Sequence, residues 1–280
     1  MDVDRYRQQS RLTWESMATG WEARHAFLER NMGLLNDWII DQTAPEVGQV
    51  VVDVGAGPGD LGHRMASLVG SQGRVISTDF ALEMVEVARR LGASRGLTNV
   101  EYRQLDAEAM DLGDDTVDVV VGRSVYMLLA DPAPALSEAR RVLRPGGSVA
   151  FTVFTTPDRN PWAAVPGAAL VQLGHLTPPQ PGAPGVFALG SPAHVRDLVA
   201  AAGFSDVTVE QIDFVFHYDD EDDAWQAVVD LNGPLAVIIE QLSGDERESS
   251  RRAVLDRLEP FRDSDGSYPV PAQALAVHAE

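Results

Sequence analysis

The 280-residue chain contains no cysteine and no lysine. Without cysteine there is no disulfide framework and no thiolate nucleophile, and a zinc site loses a principal ligand. Without lysine, Schiff-base chemistry is excluded, and most pyridoxal-phosphate enzymes with it. All 22 cationic side chains are therefore arginine, set against 42 acidic ones, for a formal net charge of −20. Such a surface repels polyphosphate backbones, whose binding depends on cations displacing counterions, so nucleic acid is not an expected partner. No apolar run approaches the ~20 residues that a bilayer-crossing helix needs. No apolar signal core follows the charged start Met1-Asp2-Val3-Asp4-Arg5. The expectation is a cytoplasmic protein without a membrane partner. Of the six histidines (His25, His63, His175, His194, His217 and His278), no two stand at metal-ligand spacing, so no metal site is expected.

Against these absences stands one information-rich stretch, Val50-Val51-Val52-Asp53-Val54-Gly55-Ala56-Gly57-Pro58-Gly59-Asp60. Its β-branched run reads as a strand buried on both faces of a parallel sheet. Three glycines at alternate positions then let backbone approach a ligand closely, and helical character resumes at Leu61, presenting unpaired N–H groups to it. A dinucleotide site wants Gly-x-Gly-x-x-Gly; here Asp60 stands where the third glycine would fall. The acid that binds a ribose should follow about 20 residues on. Arg74-Val75-Ile76-Ser77-Thr78-Asp79 supplies it at the end of a second short strand. Asp79 is also placed to cap the helix that follows, and the two roles are compatible.

Strands and helices then alternate: a helix over 81–91, strands over 100–106 and 117–123, a helix over 132–143 stopped by Pro145-Gly146-Gly147, and a strand over 148–154. That rhythm predicts an α/β, doubly wound, mainly parallel sheet with ligands at the carboxyl ends of its strands. Before it, residues 11–40 carry apolar and aromatic residues at three- and four-residue spacings, predicting two amphipathic helices broken near Thr19-Gly20. After it, 156–190 is rich in proline and glycine, including Pro178, Pro179, Pro181 and Pro184, and predicts a long irregular insertion acting as a lid. A helix over 192–202, a strand over 207–216, three further helices and a last antiparallel strand at 273–278 complete the reading. The acidic run Asp219–Asp223 reads as a solvated helix start. The predicted organisation is therefore an N-terminal helical segment (1–45), a doubly wound core (46–155), a lid insertion (156–190), and a C-terminal completion of the sheet with a helical cap (191–280).

Four segments in order carry a resemblance: Asp53-Val54-Gly55-Ala56-Gly57-Pro58-Gly59, then Asp79, then Leu105-Asp106-Ala107-Glu108, then Arg141-Val142-Leu143-Arg144-Pro145-Gly146-Gly147. Over about residues 50–155 the chain resembles the class I S-adenosylmethionine-dependent methyltransferases, nearest the branch similar to ubiquinone and menaquinone methyltransferases. The resemblance implies a Rossmann-like sheet of seven strands, with 46–155 as its Rossmann-like core and 1–45 as a helical lid. It implies S-adenosyl-L-methionine as cofactor, held by Trp21, Asp53, Gly55, Ala56, Gly57, Gly59, Asp79, Phe80, Met84, Asp106, Ala107 and Arg123. Within that set it gives the ribose hydroxyls to Asp79, the adenine amine to Asp106 and the methionine portion to the glycine turn.

Methyl transfer from a sulfonium needs alignment above all, and needs a base only where the acceptor must lose a proton. No residue is assigned as base; His25, Tyr126, Asp158, His175 and His217 are the weak candidates. The expected activity is methylation of a small organic acceptor at carbon, oxygen or nitrogen, in biosynthesis or secondary metabolism. The apolar lid suggests an apolar or aromatic acceptor, roofed by the N-terminal helices, the 156–190 insertion and the region after 217. Two alternatives stay open: a cofactor-binding protein of this fold that does not methylate, such as a cyclase, and a nicotinamide-dependent oxidoreductase, which the glycine spacing and Asp60 disfavour.

Overall fold

In chain order the elements are α1 (Val3–Ala23), α2 (His25–Thr43), β1 (Val50–Val54), α3 (Asp60–Val69), β2 (Arg74–Asp79), α4 (Leu82–Ser94), β3 (Val100–Gln104), β4 (Val117–Arg123), α5 (Pro132–Val142), β5 (Leu143–Phe154), α6 (Pro161–Gln172), α7 (Pro192–Ala201), β6 (Thr208–Tyr218), α8 (Glu221–Leu231), α9 (Gly233–Gln241), α10 (Gly244–Leu258) and β7 (Tyr268–Ala279). This computed structural model describes residues 2–178, 180 and 182–280; Met1 and the insertion prolines Pro179 and Pro181 lie outside the described residues.

The valines of β1 put the strand at the centre of the sheet, because side chains on both of its faces are buried. Val51 packs with Ile39, Leu61 and Met65 on one face, whereas Val52 and Val54 join the larger cluster around Leu35, Val120 and Phe151 on the other. The strand order is β3-β2-β1-β4-β5-β7-β6. The first five strands run parallel, and β7 is antiparallel to both β5 and β6. This is the doubly wound, seven-stranded sheet expected. With β2 on one side of β1 and β4 on the other, the chain reverses winding there, and a crevice opens beyond the strand ends.

Three local expectations are corrected. The break between the N-terminal helices falls at Arg24, and α1 already begins at Val3. Gly20 lies inside α1, where a Cβ would stand 2.4 Å from the carbonyl oxygen of Asp230; this glycine marks a close helix crossing, not an interruption. The 156–190 stretch is not irregular throughout, since Pro161–Gln172 forms α6. Its start is pinned by fully buried Asn160, whose Oδ1 accepts from Gln273 N–H at 2.9 Å and whose amide donates to Gln273 O at 3.0 Å. Trp162, with its Nε1 donating to Asn160 Oδ1, stacks on Phe216 at 4.1 Å between centroids and meets Phe154 edge-on. Finally, β5 begins at Leu143, ahead of the Pro145-Gly146-Gly147 stop.

Candidate functional site

At the end of β1 the chain turns through Gly55, Gly57 and Gly59, each with positive φ. At Gly55 the space is closed as well, because a Cβ would lie 2.4 Å from a methyl of Val125. Ala56 N–H donates to Thr78 O at 2.8 Å, which ties the turn to β2. Asp79 then closes the turn from the end of β2. Its Oδ2 accepts from Gly57 N–H at 3.0 Å and its Oδ1 from Ala81 N–H at 2.9 Å, so one carboxylate ties the glycine turn to the residue before α4; the expected capping role is corrected, because the N-cap of α4 is Ala81, with no side-chain hydrogen bond at the cap. The cleft walls around it push that carboxyl up to about 6 despite the two N–H donors. Asp53, almost wholly buried, accepts from Gly62 N–H at 2.8 Å and is pushed up to about 7 by burial, with Arg123 opposing the rise.

These groups face an open cleft of about 1100 Å³. Eleven of the twelve residues expected at the cofactor line it: Trp21, Asp53, Gly55, Ala56, Gly57, Asp79, Phe80, Met84, Asp106, Ala107 and Arg123. Gly59 stands behind the wall at the start of α3, where a Cβ would meet the His63 ring at 2.8 Å. His63 itself is buried, bonded to the Tyr102 hydroxyl at 3.0 Å, and burial pulls its pKa down to about 4.

None of the five weak base candidates lines the cleft. Tyr126 is fully buried against Phe151 at 4.6 Å between centroids, with its hydroxyl pKa pushed up by burial; it borders a second, smaller cavity. Asp158 is exposed in the turn before α6, and a hydrogen bond from Thr156 holds its carboxyl below the usual value. His175 follows α6, and His217 lies on β6, 3.7 Å from Asp219. His25 begins α2 with its Nδ1 buried and unpartnered among the described residues.

The sequence reading missed the contribution of α1 before residue 11. Tyr6, Arg7, Ser10 and Trp14 line the cleft with Trp21, and Arg7 is ion-paired with both Asp106 and Glu108. No described residue of 156–190 lines it; Gly182, Pro184, Ala188 and Leu189 border the second cavity instead. From the far strand end come Ser124, Val125, Leu128, Leu129 and Ala130.

Residues 45–172 match the family model described as a methyltransferase domain. A ubiquinone/menaquinone biosynthesis C-methyltransferase, UbiE, of Marinomonas sp. is 36% identical over 120 residues, 42% of this chain and 48% of that protein. Over this segment the chain is similar to S-adenosylmethionine-dependent methyltransferases. A second such C-methyltransferase, from Coxiella burnetii, is 35% identical over 142 residues, 49% of this chain and 55% of that protein. An uncharacterized 37.1 kDa protein in transposon TN4556 of Streptomyces fradiae is 44% identical over 121 residues, 43% of this chain and 33% of that one. The chain spans about half the length, or less, of these curated relatives. The crystal structure of a putative methyltransferase from Bacillus halodurans superposes with a TM-score of 0.56 at 20% identity, covering 87% of this chain and 97% of that one; it shows the fold. The cofactor of the methyltransferase family is S-adenosylmethionine, and the cleft fits it. Trp21 Nε1 and Arg123 Nη1 are buried donors without a partner among the described residues, and both residues face the glycine turn. An amino-acid carboxylate and ribose hydroxyls would meet donors and an acceptor already in place.

Proposed function

We propose that this chain transfers a methyl group from S-adenosylmethionine to a small, largely apolar or aromatic acceptor by direct displacement. The observation that carries the reading is Asp79, held by two backbone N–H groups between the glycine turn and the cleft. The cofactor supplies an electrophilic methyl with a neutral leaving group; the chain's work is to bind, orient and exclude water. In this reading Asp79 accepts from the ribose hydroxyls, and the glycine turn with Arg123 and Trp21 receives the amino-acid end. Asp106 shares its carboxylate between Arg7 and the adenine amine. The acceptor sits beyond this, between α1 and the β4 end, where Tyr6, Trp14, Leu128 and Leu129 offer mostly apolar walls with Ser10 among them. The roof is thus assigned to α1 rather than to the 156–190 insertion. Alignment of this kind contributes up to ~7–11 kcal/mol in favourable cases. No base is assigned, because the displacement itself needs none.

Two measurements test it. Mass spectrometry of candidate aromatic and apolar acceptors, incubated with methyl-labelled cofactor, should show transfer of one labelled methyl. In calorimetry, Asp79→Ala should weaken cofactor binding about tenfold to several hundredfold, as expected for losing hydrogen bonds to a charged acceptor worth roughly 1.5–3 kcal/mol each. Unchanged affinity in a folded Asp79→Ala protein would remove the assignment.

A further inference from the structure

Asp60 stands where the dinucleotide pattern would place a third glycine, at the first position of α3. It is wholly buried behind the cleft wall, and neither of its carboxylate oxygens has a hydrogen-bond partner among the described residues. A helix start ordinarily explains an acid, because free N–H groups and the dipole favour negative charge there. Here the Gly62 N–H of that first turn goes to Asp53 instead. Two guanidinium groups supply the countercharge: Arg123 Nη2 lies 3.7 Å from Oδ2, and Arg95 Nη2 lies 3.6 Å from Oδ1. Both are ion-pair distances, just past hydrogen-bond reach. Burial pushes the Asp60 carboxyl up, and Arg123 is the group that most opposes the rise.

The two arginines are not equivalent. Arg95 ends α4, is 31% exposed and also reaches Glu29 at 3.3 Å. Arg123 ends β4, lines the cleft with a side chain only 7% exposed, and holds a buried Nη1 without a partner among the described residues. It follows by two residues Val121, the register partner of Asp53, so its side chain leaves the sheet on the Asp53 side, where α3 packs. A guanidinium clamped bidentate onto a carboxylate has two of its donors already spent. Asp60 instead holds the charge from just outside hydrogen-bond reach, which fixes the group and leaves Nη1 free. We propose that Asp60 is a positioning residue that sets Arg123 against the glycine turn, and that the pair makes the cleft select ligands carrying an amino-acid carboxylate. The proposal rests on the cleft being the cofactor site. Asp60 touches no ligand itself; its effect passes through Arg123.

Calorimetry with two ligands tests the pair: S-adenosylhomocysteine, and methylthioadenosine, which keeps the adenine, ribose and thioether but has no amino-acid end. Asp60→Asn should weaken S-adenosylhomocysteine about three- to thirtyfold, the range of coupling between neighbouring groups, and leave methylthioadenosine within about twofold. Asp60→Ser, uncharged and without the amide, should show the same selective loss, and it decides the point if the asparagine protein does not fold. Arg123→Gln should lose about ten- to hundredfold for S-adenosylhomocysteine, as for hydrogen bonds to a charged group, and again spare methylthioadenosine. Adding Asp60→Asn to Arg123→Gln should cost nothing further. That comparison needs S-adenosylhomocysteine alone, so it decides even where methylthioadenosine binds too weakly to measure. Equal weakening of both ligands, unchanged S-adenosylhomocysteine affinity in a folded Asp60 variant, or additive losses in the double variant each overturn the positioning role and leave the cofactor site intact. Failure of wild type to bind S-adenosylhomocysteine overturns the cofactor reading and the positioning role together.

Discussion

Asp79 and Asp53 are carboxyls whose surroundings favour the protonated form, and both sit where a ligand would change that. The raised value of Asp79, about 6, means that much of its charge is lost just below neutrality when the cleft holds no ligand. Ribose hydroxyls donate best to the ionised form, so cofactor affinity should fall as pH drops from 7 to 5, approaching tenfold per pH unit below about 6. Asp79→Asn should bind more weakly and show no such slope; calorimetry across that range checks both. The same preference for the protonated form sets the sign for stability. Between its ordinary 3.8 and the raised value near 7, Asp53 holds a proton in the folded state that the unfolded chain has released. Its contribution therefore falls as pH rises through that window, by about 1.4 kcal/mol for each pH unit crossed. His63 acts in the opposite sense: with its pKa lowered from 6.5 to about 4, it costs stability as pH falls through that range. Comparing wild type with Asp53→Asn isolates the aspartate. The variant can still accept from Gly62 N–H through its amide oxygen, and its urea-unfolding stability should decline less between pH 4 and 7.

At the scale of elements, the helix crossings decide what a substitution does. Gly20 admits α8 so closely that Gly20→Val must push the Asp230 backbone away, and overpacking of this kind costs about 1–3 kcal/mol. Thermal unfolding should show that loss, and α1 should release its hold on the cleft with it. Trp162 makes a contrasting case. It was expected in a lid, but its ring is stacked on Phe216 and its N–H held by fully buried Asn160. Trp162→Ala should therefore cost about 3 kcal/mol of stability, as for large truncations in a packed cluster, with cofactor affinity in calorimetry little changed. These two residues also show what the sequence could convey. Strands β1 to β5, the glycine turn and Asp79 were legible because valine runs, alternate glycines and a strand-closing acid each have one local physical meaning. Gly20 was misread because a glycine in a helix looks alike whether it breaks the helix or admits a neighbour, and the neighbour lies about 200 residues away in the chain. Tyr6 and Arg7 were overlooked because they stand among charged residues with no apolar spacing, and their partners, Leu128, Asp106 and Glu108, are distant in sequence.

For the molecule as a whole, charge is the strongest constraint. Every cation is arginine, and many are already committed. Arg24 serves Asp223 and Asp230, Arg141 serves Glu138 and Asp114, and Arg7 serves Asp106 and Glu108. The excess of acids, −20 in all, is left to repel itself and any polyanion. Self-repulsion weakens as the Debye length shrinks from about 30 Å at 0.01 M salt to about 8 Å at 0.15 M, so the unfolding midpoint should rise over that interval. A nucleic acid would need arginines released from their carboxylates before any counterion could be displaced, and the intervening acids would oppose each contact. Duplex and single-stranded oligonucleotides are accordingly expected to show no salt-dependent binding near physiological ionic strength. Fluorescence anisotropy with labelled oligonucleotides checks this, and a linear fall of log affinity with log salt would contradict it. The cofactor escapes the same repulsion because it is no polyanion: a sulfonium and an ammonium accompany its single carboxylate, and a negative field draws the first two in.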